Sequence, residues 1–207
     1  MEIIGLTGGM ASGKSACTQY LKSRGVIVLD ADEISRDLTR KGNIGALRLL
    51  QELGEEFFDN GELNRAKTAR WAFSSSQNTE KLNSIIHPLV ISRLHEEIEK
   101  LKAAGEKAVV MDCPLLFESG LDKECSQIWL VTADYETRLR RAQARSGLSR
   151  EEAAARIERQ MSDQSRAARS DIIIENNGSI AELEEKLRPL ADRLLGVKDE
   201  KGRKEER

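Results

Sequence analysis

Apolar residues fall along the chain in two patterns. Five short runs are apolar or β-branched at consecutive positions: "EIIGL" at 2–6, "VIVLD" at 26–30, "AVVMD" at 108–112, "IWLVT" at 128–132 and "DIIIE" at 171–175. Unbroken runs of this length suit strands buried on both faces, as in a parallel sheet covered by helices. Segments 14–24, 135–146 and 179–195 instead repeat their apolar positions at helical spacing. The alternation predicts a doubly wound α/β sheet.

Two stretches break that alternation. Residues 31–105 carry helical periodicity and no convincing strand, which predicts an inserted helical subdomain. Residues 136–169 are rich in arginine and are punctuated by Gly147 and Ser149, with Ser149-x-x-Glu152 forming a capping box, so a helical hairpin is expected there. The core then consists of 1–30, 106–135 and 170–196, and 1–196 reads as one domain. From 197 to 207 the chain is mixed in charge with nothing apolar after Val197, and is expected to be disordered.

Charge narrows the function. With 33 Lys and Arg against 35 Asp and Glu, the net charge is -2, which excludes a chain built throughout as a basic nucleic-acid binder. No run approaches the ~20 apolar residues that span a bilayer. Cys17, Cys113 and Cys125 form neither a paired framework nor a metal-ligand spacing, and no basic-plus-apolar leader precedes the first strand. These features point to a cytoplasmic protein with no nucleic-acid or membrane partner, and they leave the oligomeric state open, a monomer being favoured.

The chemistry begins directly after the first strand. Gly8-Gly9-Met10-Ala11-Ser12-Gly13-Lys14-Ser15 satisfies G-x-x-x-x-G-K-[ST], with a strand before it and a helix after it. Glycines allow a tight turn whose N–H groups surround a polyphosphate at the positive end of the new helix. Lys14 would reach the β and γ phosphates, and Ser15 would hold Mg²⁺. The guanine-reading pattern N-K-x-D is absent. Two helical insertions, one to hold an acceptor and one to close over ATP, favour a small-molecule kinase.

Three further groups carry candidate chemistry. Asp30 and Asp32 stand at the carboxyl end of the second strand, where one could take a proton from an acceptor hydroxyl and either could cap the following helix. Asp112, at the end of the third strand, occupies a Walker-B-type position near Mg²⁺, with Glu118 a weaker candidate. Arg138, Arg141 and Arg145 recur at spacings of three and four. Such a stripe is ordinarily a solvated face, yet opposite a phosphate loop it could neutralise the transferring phosphoryl group, with Arg141 and then Arg145 preferred. His87 beside Pro88 reads as a local contact, and Phe57, Phe58, Trp71 and Phe73 as packing of the inserted subdomain, with contact to a bound base the alternative for an aromatic among them.

Taken together, "GLTGGMASGKS", "DADEISR", "NGELNR", "LNSIIHPLV", "DCPLLFESGLD", "RLRRAQARSGLSREEAAARIERQM" and "SDIIIENNGS" resemble the dephospho-CoA kinase family over Ile3 to about Leu195. The resemblance implies a P-loop kinase with a five-stranded parallel sheet flanked by helices, a helical substrate-binding insertion and a helical lid. It implies transfer of the γ phosphate of ATP, with Mg²⁺, to the ribose 3′-hydroxyl of dephospho-CoA. By matching position, Asp32 would be the general base, and Ala11 to Ala16 would wrap ATP together with Gly8 and Gly9. Arg141 would be the lid's phosphate contact, and Asn176, Asn177 and Gly178 would lie at the adenine end. Arg36 and His87 would face the acceptor. Ala11 and Ala16 stand where the family pattern has glycine and threonine. A kinase for another small acceptor, such as a nucleoside monophosphate, and an ATP-gated binding protein are the rival readings.

Overall fold

A computed structural model describes residues 1–197, so the tail expected to be disordered lies, beyond Val197, outside the described residues. The chain forms two compact units, Met1–Val28 with Gly105 onward, and Leu29–Ala104.

In the first unit, β1 (Glu2–Gly8) is the centre of a five-stranded sheet. It runs parallel to β5 (Ala108–Asp112) on one side and to β6 (Gln127–Thr132) on the other, while β6 pairs in parallel with β7 (Ile172–Glu175). The short β2 (Val28–Asp30) completes the order β2-β5-β1-β6-β7. Four of the five apolar runs are thus strands of nearly their expected length. The second is shorter than 26–30, because Val26 and Ile27 precede the strand, although Ile27 still accepts a hydrogen bond from Val110. The helices α1 (Lys14–Ser23) and α9 (Ile180–Leu195) cover the sheet. Their Cys17, Leu21, Leu183 and Leu187 bury against Ile4, Leu6, Val110, Trp129 and Val131. Each fully buried side chain of this kind contributes roughly 1.5–3 kcal/mol relative to exposure.

After β6 the chain enters an arginine-rich arm. It contains α6 (Tyr135–Ser146), α7 (Arg150–Glu158) and the short α8 (Asp163–Ala167). Gly147 ends α6 in the left-handed region at φ 63°, and the capping box at Ser149 and Glu152 starts α7 as the sequence predicts. The expected hairpin of two helices gains a third because the Ser162 hydroxyl accepts from Ser165 N–H and starts a further turn.

The second unit comprises α2 (Ala31–Leu38), α3 (Ile44–Leu53), α4 (Arg65–Ala72) and α5 (Ser76–Ala103), with α2, α3 and α4 each packed on α5. Two expectations are corrected here. A strand pair was not foreseen, yet β3 (Phe58–Asp59) and β4 (Glu62–Leu63) form a small antiparallel hairpin. Its turn is Asn60-Gly61, with φ 51° and 80°, and this dipeptide supplies the two positive φ angles that a two-residue hairpin needs. Of the aromatics, Phe57 stacks edge-on against Trp71 at 5.4 Å between ring centroids, but Phe73 is 72% exposed because it follows α4 as its C-cap.

Candidate active site

The phosphate loop fills the gap between β1 and α1. Gly13 caps α1 at φ 97°, a conformation open to glycine, and a Cβ there would also stand 1.9 Å from Asn176 Nδ2. Gly8 is constrained by packing instead, because a Cβ would approach the Val131 carbonyl oxygen to 2.5 Å. Ala11 holds φ 60° without glycine's freedom. Ser12 N–H donates to the Gly9 carbonyl, closing the turn. Helix geometry leaves the first N–H groups of α1 free of intrahelical partners, so those of Lys14 and Ser15 point out of its start. The exposed Ser15 hydroxyl and the partly exposed Met10, Ala11 and Ala16 line the same turn.

Beneath the loop, Lys14 forms an ion pair with Asp112 at the end of β5, and the Thr18 hydroxyl donates to the second Asp112 oxygen. The Asp112 side chain is 3% exposed, so a Walker-B-type carboxylate and the loop lysine are already in contact. Burial, helped by the neighbouring Asp112 charge and opposed by Lys14, pushes the Cys17 thiol up to about 12. Glu118 is exposed beyond the turn that follows Pro114.

The arginine stripe divides in the structure. Arg145 is exposed in the last turn of α6. Arg141 is half-buried, with Nη1 donating to the Asn176 carbonyl at 2.9 Å and Nη2 reaching the Gly178 carbonyl at 3.5 Å. Asn176 in turn donates to the Ser12 carbonyl at 2.8 Å, and Asn177 accepts from Asp134 N–H at 2.7 Å. The segment after β7 therefore links Arg141 to the phosphate loop. Arg138 is no part of a solvated face: it is buried, donates through Nε to the Met10 carbonyl at 2.9 Å, and pairs with Asp163. Met10 N–H donates to Gln160 at 2.8 Å, so both sides of this loop residue are held by the arm.

Asp163, Arg166 and Gln160 were not singled out from the sequence. The signal present, Asp163-x-x-Arg166 at helical spacing, reads as an ordinary surface pair until the fold buries Arg166.

In the second unit the two carboxylates separate. Asp30 caps α2, its Oδ1 accepting from Glu33 N–H at 3.0 Å. Asp32 lies in the first turn of α2, exposed, four residues before the exposed Arg36 and so on the same helix face. Arg65 donates through Nη2 to the Arg36 carbonyl and to Thr39 Oγ1, both at 2.9 Å, fixing the end of that turn. His87 is half-buried in α5, and burial holds its imidazole below the ordinary value.

Residues 2–182 match the sequence profile of dephospho-CoA kinases. A dephospho-CoA kinase from Arabidopsis thaliana is 41% identical, over 88% of this chain and 79% of the relative. One from Fusobacterium nucleatum is 40% identical, over 89% and 94%. A crystal structure of a Thermus thermophilus protein superposes with a TM-score of 0.76 at 36% identity, covering 95% of this chain and 98% of that one. With the strand–phosphate loop–helix geometry in place beneath these matches, the chain belongs to the dephospho-CoA kinase family.

Proposed function

We propose that the chain moves the γ-phosphoryl group of ATP onto the ribose 3′-hydroxyl of dephospho-CoA, giving coenzyme A and ADP as the last step of coenzyme A biosynthesis. Family membership across residues 2–182 is the observation that carries this reading. In it, the N–H groups of Ala11 to Ala16, with Gly8 and Gly9 allowing close approach, cradle the triphosphate, and Lys14 leaves Asp112 to meet the β and γ phosphates. Asp32 takes the 3′-hydroxyl proton, its neighbour Asp30 being engaged as a helix cap. Arg36 and His87 hold the acceptor within the Leu29–Ala104 unit, which serves as the substrate-binding insertion. The arm of α6 to α8 is the lid: Arg141 and Arg145 offset charge on the transferring oxygens, and Asn177 and Gly178 lie at the adenine end.

The residues fit a magnesium ion. Ser15 presents an exposed hydroxyl and Asp112 a carboxylate, both hard oxygen donors. Among the described residues no cluster of three or more His, Cys, Asp or Glu could hold a metal, and an ion that keeps waters and nucleotide phosphates as ligands needs none. When bound, it would neutralise charge building up between the β and γ phosphates.

No helix among the described residues is long and apolar enough to cross a membrane. Free thiols at Cys17, Cys113 and Cys125 suit the reducing cytoplasm, where we place the reaction.

The test is ADP release from ATP and Mg²⁺ with dephospho-CoA, AMP, CMP, adenosine or no acceptor. Dephospho-CoA should dominate, because its diphosphate and pantetheine arm supply binding energy that orients the ribose. Faster turnover with AMP or CMP would assign a different acceptor. ATP binding without ADP release under any condition would leave a nucleotide-gated binding protein.

A further inference from the structure

Two arginines that the transfer scheme does not use lie against the outside of the phosphate loop. Arg138 is 3% and Arg166 2% exposed, and both pair with Asp163, whose side chain is 34% exposed. A guanidinium stays charged inside a protein, so one carboxylate leaves this cluster with a surplus positive charge. Arg138 Nη2 and Arg166 Nε are buried without an acceptor among the described residues. The cluster touches Gly9 so closely that a Cβ there would stand 2.5 Å from Arg138 Nη2 and 3.1 Å from Arg166 Nη1. Arg138 also holds the Met10 carbonyl, in the next peptide along the loop.

A buried cation without a counter-charge is expensive, and an anion in the neighbouring loop would offset it. In a water-poor setting, that attraction grows with each charge the anion carries. We propose that Arg138 and Arg166 are positioning residues for the phosphoryl donor: they clamp the loop at Gly9–Met10, and their uncompensated charge makes its affinity rise with the number of phosphates in the ligand. Asp163 sets the size of the surplus. This rests on the proposal that the loop binds ATP, and it concerns residues that touch the loop at Gly9 and Met10, separate from Arg141 and Arg145.

The test measures binding of AMP, ADP, ATP and inorganic tripolyphosphate to the full chain by calorimetry, at two salt concentrations, for the wild type and for Arg138→Gln, Arg166→Gln and Asp163→Asn, with KM for ATP and kcat alongside. The arginine variants should lose roughly tenfold or more in affinity for ATP and tripolyphosphate, and much less for AMP, with KM rising more than kcat falls. Asp163→Asn should tighten tripolyphosphate binding and steepen its salt dependence, because it enlarges the surplus charge. A role confined to packing predicts the opposite sign, since removing Asp163 would loosen both arginines. Equal losses across the ligands, or weaker tripolyphosphate binding in Asp163→Asn, would overturn the inference. Arg166→Lys, which keeps the charge with fewer hydrogen bonds, should retain the graded preference even if a glutamine variant fails to fold, and its loss there would count equally against the idea. A wild type that binds no ATP would overturn the reading of the loop itself.

Discussion

Lys14 and Asp112 form an ion pair under the phosphate loop, with side chains 13% and 3% exposed, and Thr18 donates to the carboxylate's second oxygen. The lysine that the proposed scheme assigns to ATP is thus held by a protein carboxylate. Lys14→Ala removes the cation from both states. We expect kcat/KM to fall by roughly a hundredfold or more, as for loss of one charge that stabilises the transition state. Stability should also fall, by about 3 kcal/mol, because Asp112 keeps the Thr18 bond but loses its cation. Steady-state kinetics and urea denaturation check the two halves, and a variant with unchanged kcat/KM would show that the loop does not hold ATP through Lys14.

The adjacent carboxylates in α2 should separate cleanly by experiment. Asp32→Asn keeps size and most hydrogen bonding but cannot accept the acceptor's proton, so kcat should drop by about 10²- to 10⁴-fold with ATP affinity nearly constant. Asp30→Ala removes the cap on Glu33 N–H and should lower stability by about 1 kcal/mol while leaving kcat far less affected. A larger kcat loss at Asp30 than at Asp32 would reverse the assignment.

How much of this was legible follows from how local each signal is. The phosphate loop was readable because its geometry is encoded in consecutive residues, with Gly13 and its positive φ inside the motif itself. Ala11 already departs there from the glycine of the family pattern, and the structure supplies the reason that glycine suits the position: a non-glycine residue holds φ 60°, with its methyl packed beside the cluster of Leu139, Ala142, Ala153 and Ile157. The hairpin at Phe58–Leu63 was missed although Asn60-Gly61 announces it, because strands of two residues leave no periodicity to detect. Arg138 and Arg141 share one helix and similar spacing, yet the first is buried against Met10 and the second reaches the segment after β7. Nothing in residues 135–146 alone distinguishes them, since the difference comes from parts of the chain far away in sequence.

Arg141 spans from α6 to the Asn176 carbonyl, and Asn176 spans from there to Ser12. Arg141→Ala should lower kcat more than it weakens acceptor binding, because the guanidinium matters most when charge develops on the moving phosphoryl group. Arg141→Lys should restore only part of the loss, a single ammonium being unable to reproduce the planar fork. Full kcat in both variants would return this arginine to an anchoring role toward residues 176–178.

Cys17 offers a test that needs no substrate. The thiol sits in the sheet core near Asp112, and burial first, then that negative charge, raises its pKa from 9.0 to about 12 in the folded chain. The folded state therefore keeps its proton where the unfolded state has released it. Stability contributed by the protonated thiol is complete below pH 9 and is lost progressively as pH rises from 9 toward the folded value of about 12. Cys125 adds in the same direction, raised to about 12 by burial and by Asp122 and Glu124. Denaturation free energies between pH 7 and 11 should accordingly decline above pH 9, and Cys17→Ala should flatten part of that decline even though it loses some packing at neutral pH. At pH 8, thiol-specific reagents should label Cys17 only on the timescale of global unfolding, since the reactive thiolate is suppressed. Rapid labelling of native Cys17, or an alkaline slope unchanged by Cys17→Ala, would show that this thiol is neither as buried nor as strongly shifted as the core packing requires.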